Sequence, residues 1–365
     1  MRPLLKEMRL IPRLLITVIA AAFLLSGCNS GPEPTALPDP SIRIGTLTPA
    51  PSVTPTLPPT GTPTPNPLVN LTPTLSPTAT SDPFVELYFD SLAARVYGGG
   101  VLQDAGSLSS PAGFTRKLFR YRSEGLNLYG FLNIPDRDGP FPVVIMLHGY
   151  VEPGQYRTVA YSARYADALA ENGFLVIHPN LRRYAPSPDA PNRLGIGDTI
   201  DTLNLISLVR QQAGSEGMLK KADGERIALW GHSMGGGIVL RLLILDPQLR
   251  GGLLYASIHS DESVNLVHFK DDGRGVPKVN APPDALDLIS PAAYLEKIVA
   301  PLSIHHGDAD AVVPVEWSEQ LCADLLKMGK DVECKVYPDQ PHTFINDGDG
   351  LFIERSVAFF KRILD

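Results

Sequence analysis

The chain has 365 residues, 44% of them apolar, and a formal net charge of −7, enough to bury one sizeable core with appendages. A mildly acidic balance without basic clusters excludes the electrostatic footprint of a nucleic-acid binder. No dinucleotide fingerprint or metal-ligand spacing stands out, so neither a cofactor nor a metal is expected. The 35 prolines are too many for one domain of this size, and most of the excess lies before residue 84, so composition divides the chain.

Arg2, Lys6, Arg9 and Arg13 precede an apolar run from Leu14 to Leu25. Such a run is short for a membrane span and suits the core of a signal peptide. It closes on Leu25-Ser26-Gly27-Cys28, which resembles a bacterial lipobox. The resemblance implies a lipoprotein signal peptide over residues 1–27, cleavage before Cys28, and lipid on that cysteine. Residues 28–83 follow as a Pro/Thr/Ser-rich stalk, "PAPSVTPTLPPTGTPTPNPLVNLTPTLSPTATSDP" in its main part. So few large apolar groups cannot form a core, and the stretch is expected to be disordered, with a reach up to roughly 150 Å. The expected location is extracytoplasmic, on a bacterial membrane or cell surface, with the membrane met through the lipid.

Residues 84–365 read as the folded domain. Asp82-Pro83 opens a helix in which Phe84, Leu87, Tyr88 and Leu92 recur at helical spacing, ended by Gly98-Gly99-Gly100. "FTRKLFRYR" and "LNLYGFLNIP" form an antiparallel entry hairpin around a Ser-Glu-Gly turn. Then come short runs bounded by Gly and Pro: "PVVIMLHG", "FLVIHPN", "RIALWG", "GLLYASI", "PLSIHHG" and "VECKVYP". Runs apolar on both faces fit central strands of a covered parallel sheet. Helical segments separate them: "YSARYADALAENG", "GDTIDTLNLISLVRQQ", "GGGIVLRLLILD", "PAAYLEKIV" and "WSEQLCADLLKMG". The alternation predicts a mostly parallel, doubly wound α/β domain. The polar segment 259–289 breaks the rhythm and is expected as a cap-like excursion over the sheet's carboxyl edge. Cys322 and Cys334 lie on a helix and the strand after it, close enough for a disulfide that an exported compartment permits.

The chemistry centres on "IALWGHSMGG", residues 227–236. A core strand, a G-x-S-x-G turn and an apolar helix are the context of a nucleophile elbow, in which glycines make room for a serine on a sharp turn. Ser233 would then stand exposed at the sheet edge beside a helix N-terminus. A serine hydroxyl needs a base, and the base a carboxylate to orient it. Chains built round such an elbow run in the order serine, acid, histidine. His342, in "YPDQPHTF", is the expected base. "HHGDADAVVP" supplies Asp308 and Asp310, and Asp310 is favoured because it lies farther into the loop, with Asp308 as a turn former. Backbone N–H groups of Met234 and Tyr150 are the expected oxyanion donors, and the Tyr150 phenol is a further candidate for lining the site. His148 and His232 read as structural, and His305-His306 as neighbours pointing to opposite faces of a strand.

Four co-ordered segments carry a wider resemblance across residues 110 to 365. "PVVIMLHGY", "GHSMGG", "HHGDADAVVP" and "GKDVECKVYPDQPHTF" are similar to the oxyanion strand, elbow, acid loop and terminal histidine segment of the prolyl oligopeptidase family of α/β-hydrolases. "HPNLRRYAPS" looks like that family's D-x-R-G-x-G-x-S segment, but Arg183 replaces its glycine and no role is carried over. The resemblance implies an α/β-hydrolase fold and a membrane-anchored serine hydrolase with an acyl-enzyme on Ser233. Its substrate is expected to be a peptide, as in those peptidases, or alternatively a small acyl ester, as for a carboxylesterase. A non-catalytic binding protein on the same fold is a third, more remote reading.

Overall fold

The computed structural model describes residues 82–270 and 280–365. The signal-peptide, Cys28 and stalk assignments lie outside the described residues, apart from Asp82 and Pro83 at the stalk's end. Nine strands form one sheet in the order β1-β2-β3-β5-β4-β6-β7-β8-β9. They are β1 (Gln103–Leu108), β2 (Phe114–Ser123), β3 (Leu126–Pro135), β4 (Phe141–Leu147), β5 (Leu175–Pro179), β6 (Ala222–His232), β7 (Gly252–Tyr255), β8 (Leu302–Gly307) and β9 (Val332–Tyr337). Pairing is antiparallel from β1 to β5 and parallel from β5 to β9.

The entry hairpin β2–β3 pairs Ser123 with Leu126 across Glu124 (φ 50°) and Gly125 (φ 80°). Two successive left-handed residues make a turn whose twist matches that of the strands it joins. Every residue of β4 and β5 is buried, as strands covered on both faces require. Along β4, Val143, Ile145 and Leu147 join one apolar cluster while Val144 and Met146 join another, so the sheet has a core on each side.

The helices are α1 (Phe89–Ala93), α2 (Ala163–Glu171), α3 (Ile196–Gln212), α4 (Met234–Leu245), α5 (Glu262–His268), α6 (Pro283–Asp287), α7 (Val315–Lys327) and α8 (Asn346–Leu364). Residues of α3, α4 and α7 complete the first cluster and those of α2 and α8 the second. Helix α4 is apolar nearly all round because it is buried nearly all round. Cys322 on α7 and Cys334 on β9 form a disulfide with a Cα–Cα separation of 6.4 Å.

Four elements differ from the sequence reading. The opening helix is one 3₁₀ turn (Val85–Leu87) followed by the short α1, because Tyr88 between them takes an extended backbone (ψ 147°). "PAAYLEKIV" forms a 3₁₀ helix, Pro291–Lys297, instead of an α-helix. Strand β1 and helix α8 were not anticipated. β1 is polar and largely exposed, so it carries no apolar period.

The described parts of the 259–289 excursion are α5, α6 and their flanks; residues 271–279 lie outside the described set. A buried Arg241–Glu262 ion pair ties α5 to α4. His268 Nε2–H donates to the Val312 carbonyl at 3.0 Å, in the loop after β8, which sets α5 at the sheet's carboxyl edge.

Candidate active site

Ser233 is the single residue between β6 and α4. Its backbone sits at φ 52°, ψ −117°, a region that costs a non-glycine residue about 1–3 kcal/mol unless its surroundings enforce it. They do so here. The Ser233 N–H donates to the Tyr255 carbonyl (2.9 Å), while its own carbonyl accepts from Gly236 (2.9 Å) and Ile258 (3.2 Å). The glycines are required by contact. A Cβ on Gly231 would lie 2.4 Å from the Gly235 carbonyl oxygen, and one on Gly235 would lie 2.0 Å from that of Leu147. The sequence therefore yields a serine held by its neighbours at the mouth of the sheet; at 4% exposed it is buried, not exposed as expected from sequence, because the packed turn and adjoining loops close round it.

Asp310 lies in the loop after β8, and His342 in the loop after β9. His342 Nδ1–H donates to Asp310 Oδ2 at 2.7 Å. The same oxygen accepts from His306 Nε2–H at 3.0 Å, and Oδ1 accepts from the N–H groups of Val312 (2.8 Å) and Val313 (3.0 Å). Burial by itself raises this carboxyl's pKa. The hydrogen bonds of His306 and His342, the charge of His342 and the Val313 N–H outweigh it and hold the pKa well below the usual carboxylate range. Asp310 is thus a carboxylate with its acceptor sites filled, aimed at the imidazole. Asp308 Oδ1 instead accepts from the Asp339 N–H at 2.6 Å, a turn contact.

On the other side of Ser233, β4 runs into His148-Gly149-Tyr150. A Cβ on Gly149 would lie 3.0 Å from Ser233 Cβ, which places this loop directly against the serine. His148 Nδ1–H donates to the Gly149 carbonyl at 2.7 Å, and burial lowers the ring's pKa to about 4, so it stays neutral and structural. Met234, the first residue of the 12-residue α4, brings the positive end of the helix dipole beside Ser233. The phenol of the half-buried Tyr150 donates to Glu152 Oε2 at 2.9 Å. Among the described residues, Ser233 Oγ and His342 Nε2 make no hydrogen bond.

The sequence reading assigns no site role to His306, His232 or Tyr161. His306 braces Asp310; its Nδ1 meets Ser318 Oγ at 2.6 Å, while His305 faces the other way, towards Tyr337 and Ser303. His232 bonds Tyr161 through Nδ1 and the His342 carbonyl through Nε2. Strand alternation foretold the opposed histidines, but nothing local to the sequence signals their partners. Arg183 adopts φ 72°, in the left-handed region that favours glycine.

The family model that matches is the dienelactone hydrolase family, over residues 128–358. Among curated proteins, acylamino-acid-releasing enzyme 2 of Oryza sativa subsp. japonica is 26% identical over 220 residues, 55% of this chain and 27% of that protein. Esterase YjfP of Escherichia coli (strain K12) is 26% identical over 255 residues, 63% of this chain and 92% of that protein. The chain thus spans about a quarter of the length of the first and nearly all of the second. Among solved structures, the uncomplexed Pyrococcus horikoshii acylaminoacyl peptidase is similar with a TM-score of 0.57 at 21% identity, over 69% of this chain and 42% of that one. The glycine-packed serine turn, the imidazole–carboxylate pair and the family match over most of the folded part lead to one statement: the chain belongs to the dienelactone hydrolase family, on an α/β-hydrolase fold.

Proposed function

We propose that the protein is a serine hydrolase that cleaves carboxylic esters through an acyl-enzyme on Ser233. The observation that carries the reading is the strained Ser233 backbone at the same sheet edge where His342 meets Asp310 at 2.7 Å. Ser233 Oγ attacks the acyl carbon as its proton passes to His342 Nε2. Asp310 keeps Nδ1 protonated and stabilises the imidazolium. The N–H groups of Met234 and Tyr150 receive the negative charge that develops on the carbonyl oxygen, a donor of this kind being worth roughly 3–4 kcal/mol in the transition state. His342 returns the proton to the departing alkoxide, and water then repeats the sequence on the acyl carbon to release the acid and restore Ser233. The Ser233–His342 hydrogen bond forms with substrate in place, as catalytic contacts that are loose in ligand-free structures commonly do.

The match to nearly the whole of an esterase supports esters as the first reading. The relation to an acylamino-acid-releasing enzyme supports amide cleavage as the second. A panel of short acyl esters against aminoacyl and peptidyl amides separates them. Ester turnover with negligible amide turnover is expected, and amide turnover of comparable kcat/KM would overturn the ester reading. We further propose that lipid on Cys28 anchors the domain outside the cytoplasm. Cys28→Ser is expected to release it from membranes, and unchanged membrane association would defeat that proposal. No helix among the described residues is long and apolar enough to cross a membrane.

A further inference from the structure

We propose that His232, the residue just before Ser233, is a positioning residue that sets the distance of the base His342 from the nucleophile. The proposal rests on the serine-hydrolase reading above. Asp310 touches only the imidazole of His342 and so governs its rotation and tautomer. The main chain of His342 is held by a different group, His232 Nε2–H, which donates to the His342 carbonyl at 2.9 Å. Because His232 and Ser233 are consecutive, one short stretch of backbone carries the nucleophile and also grips the segment that carries the base.

The protonation of the bridge follows from its partners. A carbonyl oxygen only accepts, so the proton of His232 is on Nε2. Nδ1 then accepts, and the Tyr161 hydroxyl donates to it. The tyrosine stands close to the chemistry. Its oxygen lies 3.2 Å, and Ser233 Cβ 3.0 Å, from the single point that a Cβ on Gly149 would occupy. The His232 ring cannot swing away. It is 1% exposed, with the rings of Tyr255 and His342 centred 4.4 and 4.7 Å from its own. Burial, helped by the nearby His342, keeps its pKa well below the ordinary histidine value, so the lone pair that Tyr161 needs persists across the working pH range.

The test compares His232→Leu, His232→Gln and Tyr161→Phe with wild type, reading kcat and KM on a short acyl ester and the rate of fluorophosphonate labelling of Ser233. A misplacement of about 1 Å costs on the order of 10²-fold. His232→Leu is therefore expected to lower kcat about 10- to 100-fold and to slow labelling by the same factor, with KM within about twofold. Gln can offer an amide N–H where Nε2–H stood, so His232→Gln is expected to recover most of the loss. Tyr161→Phe leaves the Nε2 bond in place and is expected to lose about three- to tenfold, which keeps the proposal testable if the leucine variant does not fold. The proposal is overturned if folded His232→Leu labels and turns over at wild-type rates. It is equally overturned if His232→Gln and Tyr161→Phe match wild type when the leucine variant is unfolded, or if the glutamine variant is folded yet as slow as the leucine one. Wild-type protein that neither labels nor turns over would remove the hydrolase reading itself, and this proposal with it.

Discussion

Adding one methyl group at Gly235 puts the geometry of the site to a quantitative trial. A Cβ there would lie 2.0 Å from the Leu147 carbonyl oxygen, whereas unstrained contacts lie at about 3.5 Å, so Gly235→Ala must push two backbones apart by roughly 1–1.5 Å. One of them leads into the His148-Gly149-Tyr150 loop and the other carries Ser233 two residues away. The movement therefore separates the nucleophile from the proposed oxyanion donors, and about 1 Å there costs on the order of 10²-fold in kcat. Overpacking of this kind adds about 1–3 kcal/mol of destabilisation. Two other glycines in the same region calibrate the effect. At Gly149 the nearest atoms are 3.0 Å from the new methyl, a strain of a few tenths of an ångström, and a loss of roughly three- to tenfold is expected. Gly154 has nothing within 4 Å, and Gly154→Ala should match wild type. Turnover of 4-nitrophenyl acetate and the thermal midpoint, measured on all three, give the ranking. Gly235→Ala within twofold of wild type, or a loss as large at Gly154 as at Gly235, would refute the packing argument.

Asp310→Asn loses the charge that stabilises the imidazolium and turns an amide N–H₂ towards groups that themselves donate to the carboxylate, so kcat should fall about 10³- to 10⁴-fold and the thermal midpoint should fall as well; a kcat loss under tenfold would count against its assignment. Burial lowers the pKa of His148 to about 4 and of His178 and His305 to about 3, and holds His232 well below its ordinary value. Each takes up a proton near pH 6.5 only when unfolded, so their contribution to stability is full above that pH and is lost as pH falls towards 4. Asp198, pushed up to about 7 by burial, binds a proton in the folded state across the same range and offsets about one of the four. The net decline is ~4 kcal/mol per pH unit at its steepest, and denaturation curves showing equal stability at pH 7 and pH 5 would contradict it. Removing the Cys322–Cys334 bridge, whose ends are 12 positions apart in sequence, should cost ~2–4 kcal/mol while leaving kcat at 25 °C close to wild type. A thermal midpoint unmoved by Cys322→Ser together with Cys334→Ser would show that the bridge contributes nothing.

Much of this architecture is legible from local pattern. β4 and β5 announce themselves as short, mainly apolar runs because both of their faces are covered, and the hairpin turn because Gly125 suits a left-handed residue. The elements that escape notice lack such signals. β1 is polar along its length, and α8 begins with Asn346-Asp347-Gly348-Asp349-Gly350, which reads as a loop, although Phe352, Phe359, Phe360 and Leu364 mark its buried face farther on. The same division holds at the site. Ser233, Asp310 and His342 stand out because each sits in a segment of distinctive composition, in a familiar order. The groups that brace them are invisible, since the His232–His342 contact spans 110 residues of chain and the Tyr161–His232 contact spans 71. Such contacts arise only when the sheet gathers the ends of β4, β6, β8 and β9 along one edge. That His305 and His306 point to opposite faces is legible, but the hold of His306 on Asp310 depends on how the loop after β8 folds back over its own strand.

The central claim is that Ser233 is a nucleophile activated by His342. Intact-protein mass spectrometry after treatment with a fluorophosphonate tests it most directly. The account predicts a single adduct, mapped to the peptide containing Ser233, absent from Ser233→Ala and formed at least about 10³-fold more slowly in His342→Ala. Folded wild-type protein that gains no adduct, or one labelled equally fast without the imidazole, would contradict it.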